Sequence, residues 1–432
     1  MNLSRERGWM HSTVIPLKPL DGHLIKRDFP IFSREINGHP LIYLDSAATA
    51  QKPFPVIEAM RRFYADEYAT VHRAVYALAA EATERYHQVR RSIQRFIGAR
   101  RPEEIIFTRG TTDAINLVAR SFGDTLEPGS RILLPVTEHH SNFVPWQMLA
   151  KRRGIDLVLL PVDEEGCLLL PEIEKHLSTS KGKEGLLSLA HISNFTGACQ
   201  PLSQIIPMAH AYGFKVLVDA AQSIPHMPLD VGMLNADFLA FSGHKAFGPT
   251  GVGVLYGKYE LLDMMAPREG GGDMIERVSY DHSSFQQPPL KFEAGTPMIA
   301  EIMGLGAAID YIEQLGRKRI MAYETELVQS ATQALQEIPG LRILGNAPNK
   351  GAIISFVIEG CHPLDVGSLL DLKGIALRTG HLCAQPAMQR FGISSSLRIS
   401  FAPYNTAEDI SYFVDCLRAV CGQLLQYSSS SI

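Results

Sequence analysis

An acidic and a basic side chain each follow an apolar run within residues 215–257. Asp219 comes directly after the run 216–218, and Lys245 stands four positions after the run 238–241. Short apolar runs bounded by turn residues are typical of buried parallel strands, and open α/β sheets bind ligands beyond the carboxyl ends of such strands. We therefore expect the carboxylate and the amine to face one crevice. Such a pair suits pyridoxal phosphate, which needs a lysine for its Schiff base and an acid at its pyridine nitrogen, whereas a capping aspartate and a solvated lysine are the ordinary alternative.

A turn rich in hydroxyl groups provides a candidate phosphate site. Gly110, Thr111 and Thr112 lie between a predicted strand and a predicted helix. Unpaired backbone N–H groups and the helix dipole attract an anion at such a place. Ser242 and His244, on either side of a glycine just before the lysine, could add further donors. The alternative is that Thr111 or Thr112 only caps the helix.

Three polar side chains follow other predicted strands. His139 could stack on a pyridine ring and move protons near neutral pH, or it could be a hydrogen-bonded structural group. Asn194 and Gln222 occupy corresponding positions on neighbouring strand ends. Both are uncharged donors, so they suit the phenolic oxygen of the cofactor or a substrate carboxylate.

Arg398 and Cys383 stand out by their surroundings in the last third of the chain. Arg398 lies inside the predicted strand 397–401, where a guanidinium is costly unless it pairs with a substrate carboxylate or with an internal acid. Cys383 lies among Gly, His and Pro residues, which predicts a loop where cationic neighbours can favour a thiolate. The remaining cysteines fit buried, inert positions: Cys167, Cys199, Cys361, Cys416 and Cys421.

Composition and charge narrow the class of protein. The chain has 432 residues, 46% hydrophobic and 20% charged residues, and a net charge of -4. These values predict a globular enzyme of two or three lobes without a nucleic-acid or anionic-membrane partner. No Cys-X-X-Cys pair, secretory signal or long apolar run is present, so we expect no metal site, no membrane span and a reducing, cytoplasmic location.

Alternating elements predict how these residues are positioned. Strands near 104–107, 131–135, 157–161 and 186–190 alternate with helices and lead into the two strands already described, a pattern typical of a parallel sheet with right-handed crossovers. We assign 1–26 to a loose extension, 27–300 to a large domain and 301–432 to a small α+β domain, to which the segment after residue 26 also contributes. Residues 269–297 are too rich in Gly and Pro for regular structure and are expected to form a loop.

Several motifs resemble those of pyridoxal-phosphate-dependent cysteine desulfurases of the SUF type, also called selenocysteine lyase-like. The resemblance runs from about residue 27 to 426 and is carried by LDSAATAQKP, RGTTDAINLVA, EHHSNFVPWQ, HISNFTG, VLVDAAQ, FSGHKAFGPTGVGVLYG, FEAGTP and RTGHLCAQP. It implies the aspartate-aminotransferase fold (fold type I), with a mostly parallel seven-stranded sheet in the large domain and a small α+β domain.

The resemblance also implies roles for the cofactor-binding residues. Lys245 would form the Schiff base, Asp219 would hold the pyridinium, His139 would stack on the ring as acid/base, and Gln222 would lie beside the phenolic oxygen. The phosphate would be held by donors from two subunits of a homodimer: Thr111, Thr112, Ser242 and His244 from one, and Thr296 from the other.

On the substrate side, the resemblance implies that Arg398 and the adjacent Asn194 bind the carboxylate and that Arg378 contacts the substrate or its approach. Cys383 would take sulfur from L-cysteine, or possibly L-selenocysteine, and release L-alanine. The persulfide would pass to a small acceptor protein of iron–sulfur assembly. Leu382 and Tyr76 stand where the family commonly has histidine. The change at Leu382 leaves open how strongly the thiol is activated, and no role near the entrance carries over to Tyr76.

Other functions stay open at this stage. Selenocysteine lyase and cysteine sulfinate desulfinase would use the same scaffold with less help from Cys383. A non-catalytic scaffold protein would keep the fold without forming the Schiff base at Lys245. A nicotinamide-dependent enzyme is disfavoured, since no Gly-X-Gly-X-X-Gly follows the first strand.

Overall fold

A computed structural model describes residues 19–180 and 184–429 of the chain. The strands are β1 (Glu35–Ile36), β2 (His39–Pro40), β3 (Ile42–Tyr43), β4 (Ile105–Thr108), β5 (Arg131–Pro135), β6 (Asp156–Leu160), β7 (Gly185–Ala190), β8 (Phe214–Asp219), β9 (Phe238–Ser242), β10 (Gly253–Gly257), β11 (Ile275–Val278), β12 (Ser283–Phe285), β13 (Leu341–Ile343), β14 (Ile353–Ile358), β15 (Ile375–Ala376), β16 (Arg378–Gly380) and β17 (Ser396–Ser400).

The α-helices connect these strands and cover the sheets. They are α1 (Gly22–Lys26), α2 (Phe54–Arg62), α3 (Ala77–Phe96), α4 (Thr111–Ser121), α5 (Val144–Arg153), α6 (Leu170–Ser178), α7 (Leu202–Ala211), α8 (Val231–Leu234), α9 (Tyr259–Met264), α10 (Ile299–Leu315), α11 (Arg317–Gln336), α12 (Pro363–Asp371), α13 (Gln385–Arg390) and α14 (Ala407–Ser429). Within the described residues, no helix combines the length and apolar character that crossing a membrane requires.

The large sheet has seven strands in the order β4-β10-β9-β8-β7-β5-β6. Only β10 runs antiparallel to its neighbours, so six strands point in one direction. The central strands β7, β8 and β9 are almost entirely buried, which explains their nearly continuous apolar sequence. Their carboxyl ends therefore meet at one edge, as we predicted for the site.

A second, four-stranded sheet follows in the order β13-β14-β17-β16. It packs with α11, α12 and α14 around a separate hydrophobic core. The N-terminal segment joins this part of the chain, because β3 pairs in parallel with β15 and Asp45 forms a bridge with Ser400. That pairing brings the end of β3 to the edge of β17.

Two stretches differ from the expectations. Residues 269–297 contain the hairpin β11–β12 and a 3-10 turn at Leu290–Phe292, where we expected only a loop. The hairpin was missed because its strands are mostly exposed and carry no buried apolar alternation. Within the expected loose extension, α1 is capped by Asp21, and Leu20 and Ile25 are buried. The rest of that extension, residues 1–18, lies outside the described residues, as does the end of the serine-rich tail at 430–432.

Candidate active site

A cavity of about 410 Å³ lies at the carboxyl edge of the large sheet, beneath the small sheet. Residues at strand ends and in loops of both the large and the small sheet line it. The predicted residues that line it are Thr111, Thr112, His139, Asn194, Asp219, Gln222, Ser242, His244, Lys245, Arg378, Cys383 and Arg398. Thr296 is exposed and does not line this cavity.

Lys245 and Asp219 come from neighbouring strands of the large sheet. Lys245 ends a short 3-10 turn after β9, and Asp219 is the last residue of β8. Burial lowers the pKa of Lys245 to about 8, against the opposing effect of Asp219. Burial also raises the pKa of Asp219, whose carboxylate accepts a hydrogen bond of 2.9 Å from the N–H of Ala221.

The Lys245 amine forms no hydrogen bond or ion pair within the described part of the chain. The structure therefore places a partly desolvated amine and a buried acid in one cavity, both with unused bonding capacity. A ligand with a reactive carbonyl and a basic ring nitrogen would satisfy both groups.

The predicted phosphate cup forms where α4 begins. The N–H of Thr111 donates to Ser242 Oγ at 2.8 Å, and the two hydroxyls are 2.7 Å apart. Gly110 occupies the N-cap position, and no side chain caps the helix. The alternative that Thr111 or Thr112 is a cap is therefore wrong. Both hydroxyls instead line the cavity beside the first turn of the helix.

Close approach of the backbone builds this cup. A Cβ atom on Gly253 of β10 would lie 2.4 Å from Gly110 Cα, which is far shorter than a van der Waals contact. Gly110 itself has φ 147°, which favours glycine. These two glycines let the turn before α4 lie against β10.

His139 forms the hydrogen bond expected of a structural group and also lines the cavity. Its Nδ1 accepts a hydrogen bond of 3.0 Å from the N–H of Ser141, which orients the ring. Burial lowers the pKa of His139 to about 3, and Lys245 adds to this effect. The imidazole is therefore neutral at physiological pH. Its Nε2 takes no part in the hydrogen bond to Ser141.

Arg398 is buried and forms an internal ion pair, as one of our alternatives predicted. Its Nη2 lies 3.0 Å from Asp45 Oδ1, and its Nη1 donates to the carbonyl of Asn194 at 3.1 Å. Arg378 pairs with the other carboxylate oxygen of Asp45 at 2.7 Å. The buried Nε of Arg398 has no partner within the described residues, so one charged donor is left for a carboxylate.

Sequence reasoning missed Asp45. It lies in the motif LDSAATAQKP, two residues after the end of β3, where the acid looks like a turn residue. Only the pairing of β3 with β15 shows that it reaches two arginines. An acid that follows a short apolar run was the available signal, but its partners could not be identified from one sequence.

The uncharged residues have defined partners. Gln222 donates to the carbonyl of Ala47 at 2.7 Å, which directs its amide group across the cavity wall. Asn194 donates to the carbonyl of Leu382 at 2.9 Å. Asn194 thus contacts both Arg398 and the segment that carries Cys383.

Cys383 is exposed and lies in a loop, as predicted, whereas the other five free cysteines are buried or half-buried. Burial raises the pKa of the Cys199 thiol to about 11 and that of the Cys421 thiol to about 12. Those two thiols are protonated and enclosed. Cys383 lines the same cavity as Lys245, so it is the cysteine placed to react with a molecule bound there.

Comparison with known proteins assigns the class. The family described as Aminotransferase class-V matches residues 42–413. The chain belongs to the class V aminotransferase family, and its fold is the α/β fold type I of pyridoxal-phosphate enzymes, as predicted.

Several similar proteins in this family are cysteine desulfurases. The cysteine desulfurase of Dickeya dadantii is 47% identical over 398 residues, which cover 92% of this chain and 96% of that protein. The solved cysteine desulfurase CsdA (S-sulfonic acid) of Escherichia coli is 39% identical with a TM-score of 0.85, covering 95% of this chain and 100% of that one. The apo cysteine desulfurase of Thermococcus onnurineus has a TM-score of 0.87 and 39% identity, covering 92% and 97%.

Some relatives are considerably longer. The match to a probable cysteine desulfurase of Mycolicibacterium paratuberculosis is 47% identical over 397 residues, 92% of this chain but only 58% of that protein. The chain thus spans little more than half the length of that relative.

Proposed function

We propose that this protein is a pyridoxal-phosphate-dependent cysteine desulfurase. It converts L-cysteine to L-alanine and receives the sulfur on Cys383 as a persulfide. One observation carries the proposal: the desolvated amine of Lys245 and the exposed thiol of Cys383 line a single cavity. The amine can transfer the proton at the substrate Cα, and the thiol can accept the substrate sulfur.

The residues present fit the cofactor. Asp219, with one hydrogen bond, has an oxygen available for the pyridine nitrogen, and the neutral His139 ring can stack on the pyridine face. Gln222 would lie beside the phenolic oxygen. The phosphate would bind the N–H and hydroxyl groups of the cup: Thr111, Thr112, Ser242 and His244. When bound, pyridoxal phosphate withdraws electrons from the substrate Cα.

Arg398 orients the substrate. Its buried Nε has no partner among the described residues, and a charged donor of this kind suits the α-carboxylate of an amino acid. Asn194 lies beside it. Arg378 is half exposed, with 48% of its side chain accessible. It would therefore contact the substrate as the substrate enters the cavity. Lys245, whose pKa is lowered to about 8, can take the proton from Cα as a free amine and return it.

Cys383 then performs the sulfur transfer. Its thiolate attacks the substrate sulfur, a sulfur–sulfur bond forms, and the bond between sulfur and Cβ breaks. The electron pair of the broken bond stays on Cβ, which takes up a proton and becomes the methyl group of alanine. The carbon is thereby reduced and the sulfur of Cys383 is oxidised to a persulfide, so the step balances without another reagent.

Three further features belong to the proposal. Exposed apolar side chains between the end of α2 and the start of α3 support a homodimer: Tyr64, Tyr68, Val75, Tyr76 and Leu78. A small acceptor protein of iron–sulfur assembly would remove the persulfide sulfur from the exposed Cys383. Six free cysteines fit a reducing compartment such as the cytoplasm.

The experiment measures carbon and sulfur products together. The holoenzyme is incubated with L-cysteine, and alanine is quantified with and without a reductant. The mass of the peptide that contains Cys383 is then measured by mass spectrometry. We expect alanine together with one added sulfur on that peptide, and loss of both in Cys383→Ala. Cys199→Ala is the matched control and should keep both. Alanine without sulfur on the peptide would overturn the persulfide step.

The same variants separate the two other substrates considered. A selenocysteine lyase or cysteine sulfinate desulfinase would keep its activity on L-selenocysteine or cysteine sulfinate in Cys383→Ala. Equal loss on cysteine and selenocysteine would exclude an enzyme that acts as a lyase only. A protein whose visible Schiff-base absorbance does not depend on Lys245 would instead be a scaffold.

A further inference from the structure

The loop that carries the thiol, residues 380–386, adopts a backbone that its residues disfavour. Leu382 and Cys383 have φ of 53° and 52°, both in the left-handed region. Two consecutive residues with a Cβ rarely occupy this region unless neighbouring groups fix them there. Hydrogen bonds to the loop backbone must therefore supply the constraint.

His140 supplies two of those contacts, one to Cys383 itself and one to Gln385, two residues later. Its backbone N–H donates to the carbonyl of Cys383 at 2.8 Å. Its ring Nε2 accepts from the N–H of Gln385 at 3.2 Å. His381 within the loop adds a third contact, since its Nδ1 accepts from the N–H of Cys383 at 3.2 Å. The rings of His140 and His381 lie 5.9 Å apart.

The ring of His140 must be neutral to accept this hydrogen bond. Partial burial, with the neighbouring His381, lowers the pKa of His140, so its Nε2 lone pair is free at physiological pH and the proton resides on Nδ1. The neighbouring His139 lines the cavity. Two adjacent residues after β5 thus serve different parts of one site.

We propose that His140 is a positioning residue that holds the Cys383 loop over the cavity through its ring Nε2. The proposal rests on the proposed desulfurase function for its catalytic consequence, but the loop contact itself does not depend on it. No part of the sulfur chemistry passes through His140. Its role is to fix the distance between the thiol and a substrate bound at Arg398 and Lys245.

Two substitutions of His140 separate the effect of the hydrogen-bond acceptor from the effect of ring size. His140→Phe fills the space without an acceptor, whereas His140→Gln offers an amide oxygen to the Gln385 N–H. His140→Leu provides a smaller apolar variant if the phenylalanine disturbs folding. His176→Phe, on the distant α6, is the matched control. Visible absorbance of the bound cofactor and circular dichroism confirm that each holoenzyme is folded.

Hydrogen–deuterium exchange of the 378–390 peptides gives the first readout. We expect exchange at the Cys383 and Gln385 amides to be about tenfold faster in His140→Phe and His140→Leu, with most of the protection restored in His140→Gln. We also expect kcat for alanine formation to fall about tenfold while KM stays within about twofold. His176→Phe should match the parent in all measurements.

Unchanged exchange in the apolar variants would overturn the proposal. An equal increase in His140→Gln and His140→Phe would also overturn it, because ring packing rather than the acceptor would then hold the loop. A parent enzyme that forms no alanine would refute the desulfurase function, while the exchange data would still decide whether His140 holds the loop.

Discussion

Asp45 and Arg398 form a buried ion pair with an Oδ1–Nη2 distance of 3.0 Å, although they are 353 positions apart in the chain. Asp45 follows β3, whereas Arg398 lies within β17. The pair forms because β3 pairs with β15 and Asp45 forms a bridge with Ser400. The N-terminal segment thus fixes the guanidinium that we expect to bind the substrate.

Asp45→Asn should weaken both the fold and substrate binding. Asp45 and Arg398 are 8% and 3% exposed, so the substitution leaves a buried cation without its counter-ion. We expect the free energy of unfolding in urea to fall by about 3 kcal/mol and KM for L-cysteine to rise about tenfold. The matched control is Glu337→Gln, which breaks the exposed pair with Arg418 and should cost less than about 1 kcal/mol. Equal effects of both substitutions would contradict the role of Asp45.

Lys245→Met should stabilise the cofactor-free protein at neutral pH. Burial lowers the pKa of Lys245 from 10.5 to about 8, so the fold disfavours the charged amine. This cost is fully present below pH 8 and disappears above pH 10.5, since the unfolded chain binds the extra proton only between those values. We expect the variant to be more stable than the parent by about 3 kcal/mol at pH 7, with a smaller difference at pH 9.5.

Urea unfolding of the two cofactor-free proteins at both pH values measures this difference. Other titrating groups are shared and cancel in the comparison. Lys175→Met removes an exposed lysine and should leave stability unchanged at both pH values. Identical stability of Lys245→Met and the parent at pH 7 would show that the amine is solvated before the cofactor binds.

Gly253→Ala should damage the phosphate cup. The added Cβ would lie 2.4 Å from Gly110 Cα and 2.7 Å from the Phe241 carbonyl, so the turn before α4 must shift. We expect the Kd for pyridoxal phosphate, titrated into cofactor-free protein by absorbance, to rise more than about tenfold. Gly422→Ala has open space around its Cβ and should bind like the parent. Unchanged binding in Gly253→Ala would mean that the cup tolerates the shift.

The central strands of the large sheet could be predicted closely because they are buried on both faces. The predicted strand 131–135 coincides with β5, and the predicted apolar run 216–218 lies within β8, which begins two residues earlier and includes Asp219. Burial on both faces selects a run of apolar residues, which is visible in a single sequence. The strands of the exposed hairpin β11–β12 contain no continuous run of apolar residues, so the sequence did not predict them.

The site was predictable where each residue follows a strand of this sheet. Lys245, Asp219 and His139 meet because parallel strands end at one edge. Asp45 and His140 could not be assigned in this way, since their roles depend on partners more than 200 positions away. The N-cap alternative for Thr111 also required the structure, because a cap and an anion site share the same sequence pattern.

A segment before α10 presents Thr296 away from its own cavity. Glu293 anchors this segment, since its carboxylate lies 2.8 Å from both Nη atoms of Arg90 and accepts from the N–H of Phe107 at 2.7 Å. Three residues later, Thr296 is exposed. A fixed but exposed hydroxyl is well suited to complete the phosphate cup of a second subunit in the proposed homodimer.

Thr296→Val should therefore weaken cofactor binding in the partner subunit rather than in its own. We expect the Kd of the variant homodimer for pyridoxal phosphate to rise about tenfold, because one hydrogen bond to a charged phosphate is lost. Mixing this variant with Lys245→Ala subunits provides the decisive measurement. In a mixed dimer, the subunit that retains Lys245 receives an intact Thr296 from its partner, so tight Schiff-base formation should return at that site. If mixing restores no tight sites although mixed dimers form, Thr296 does not act across the subunits.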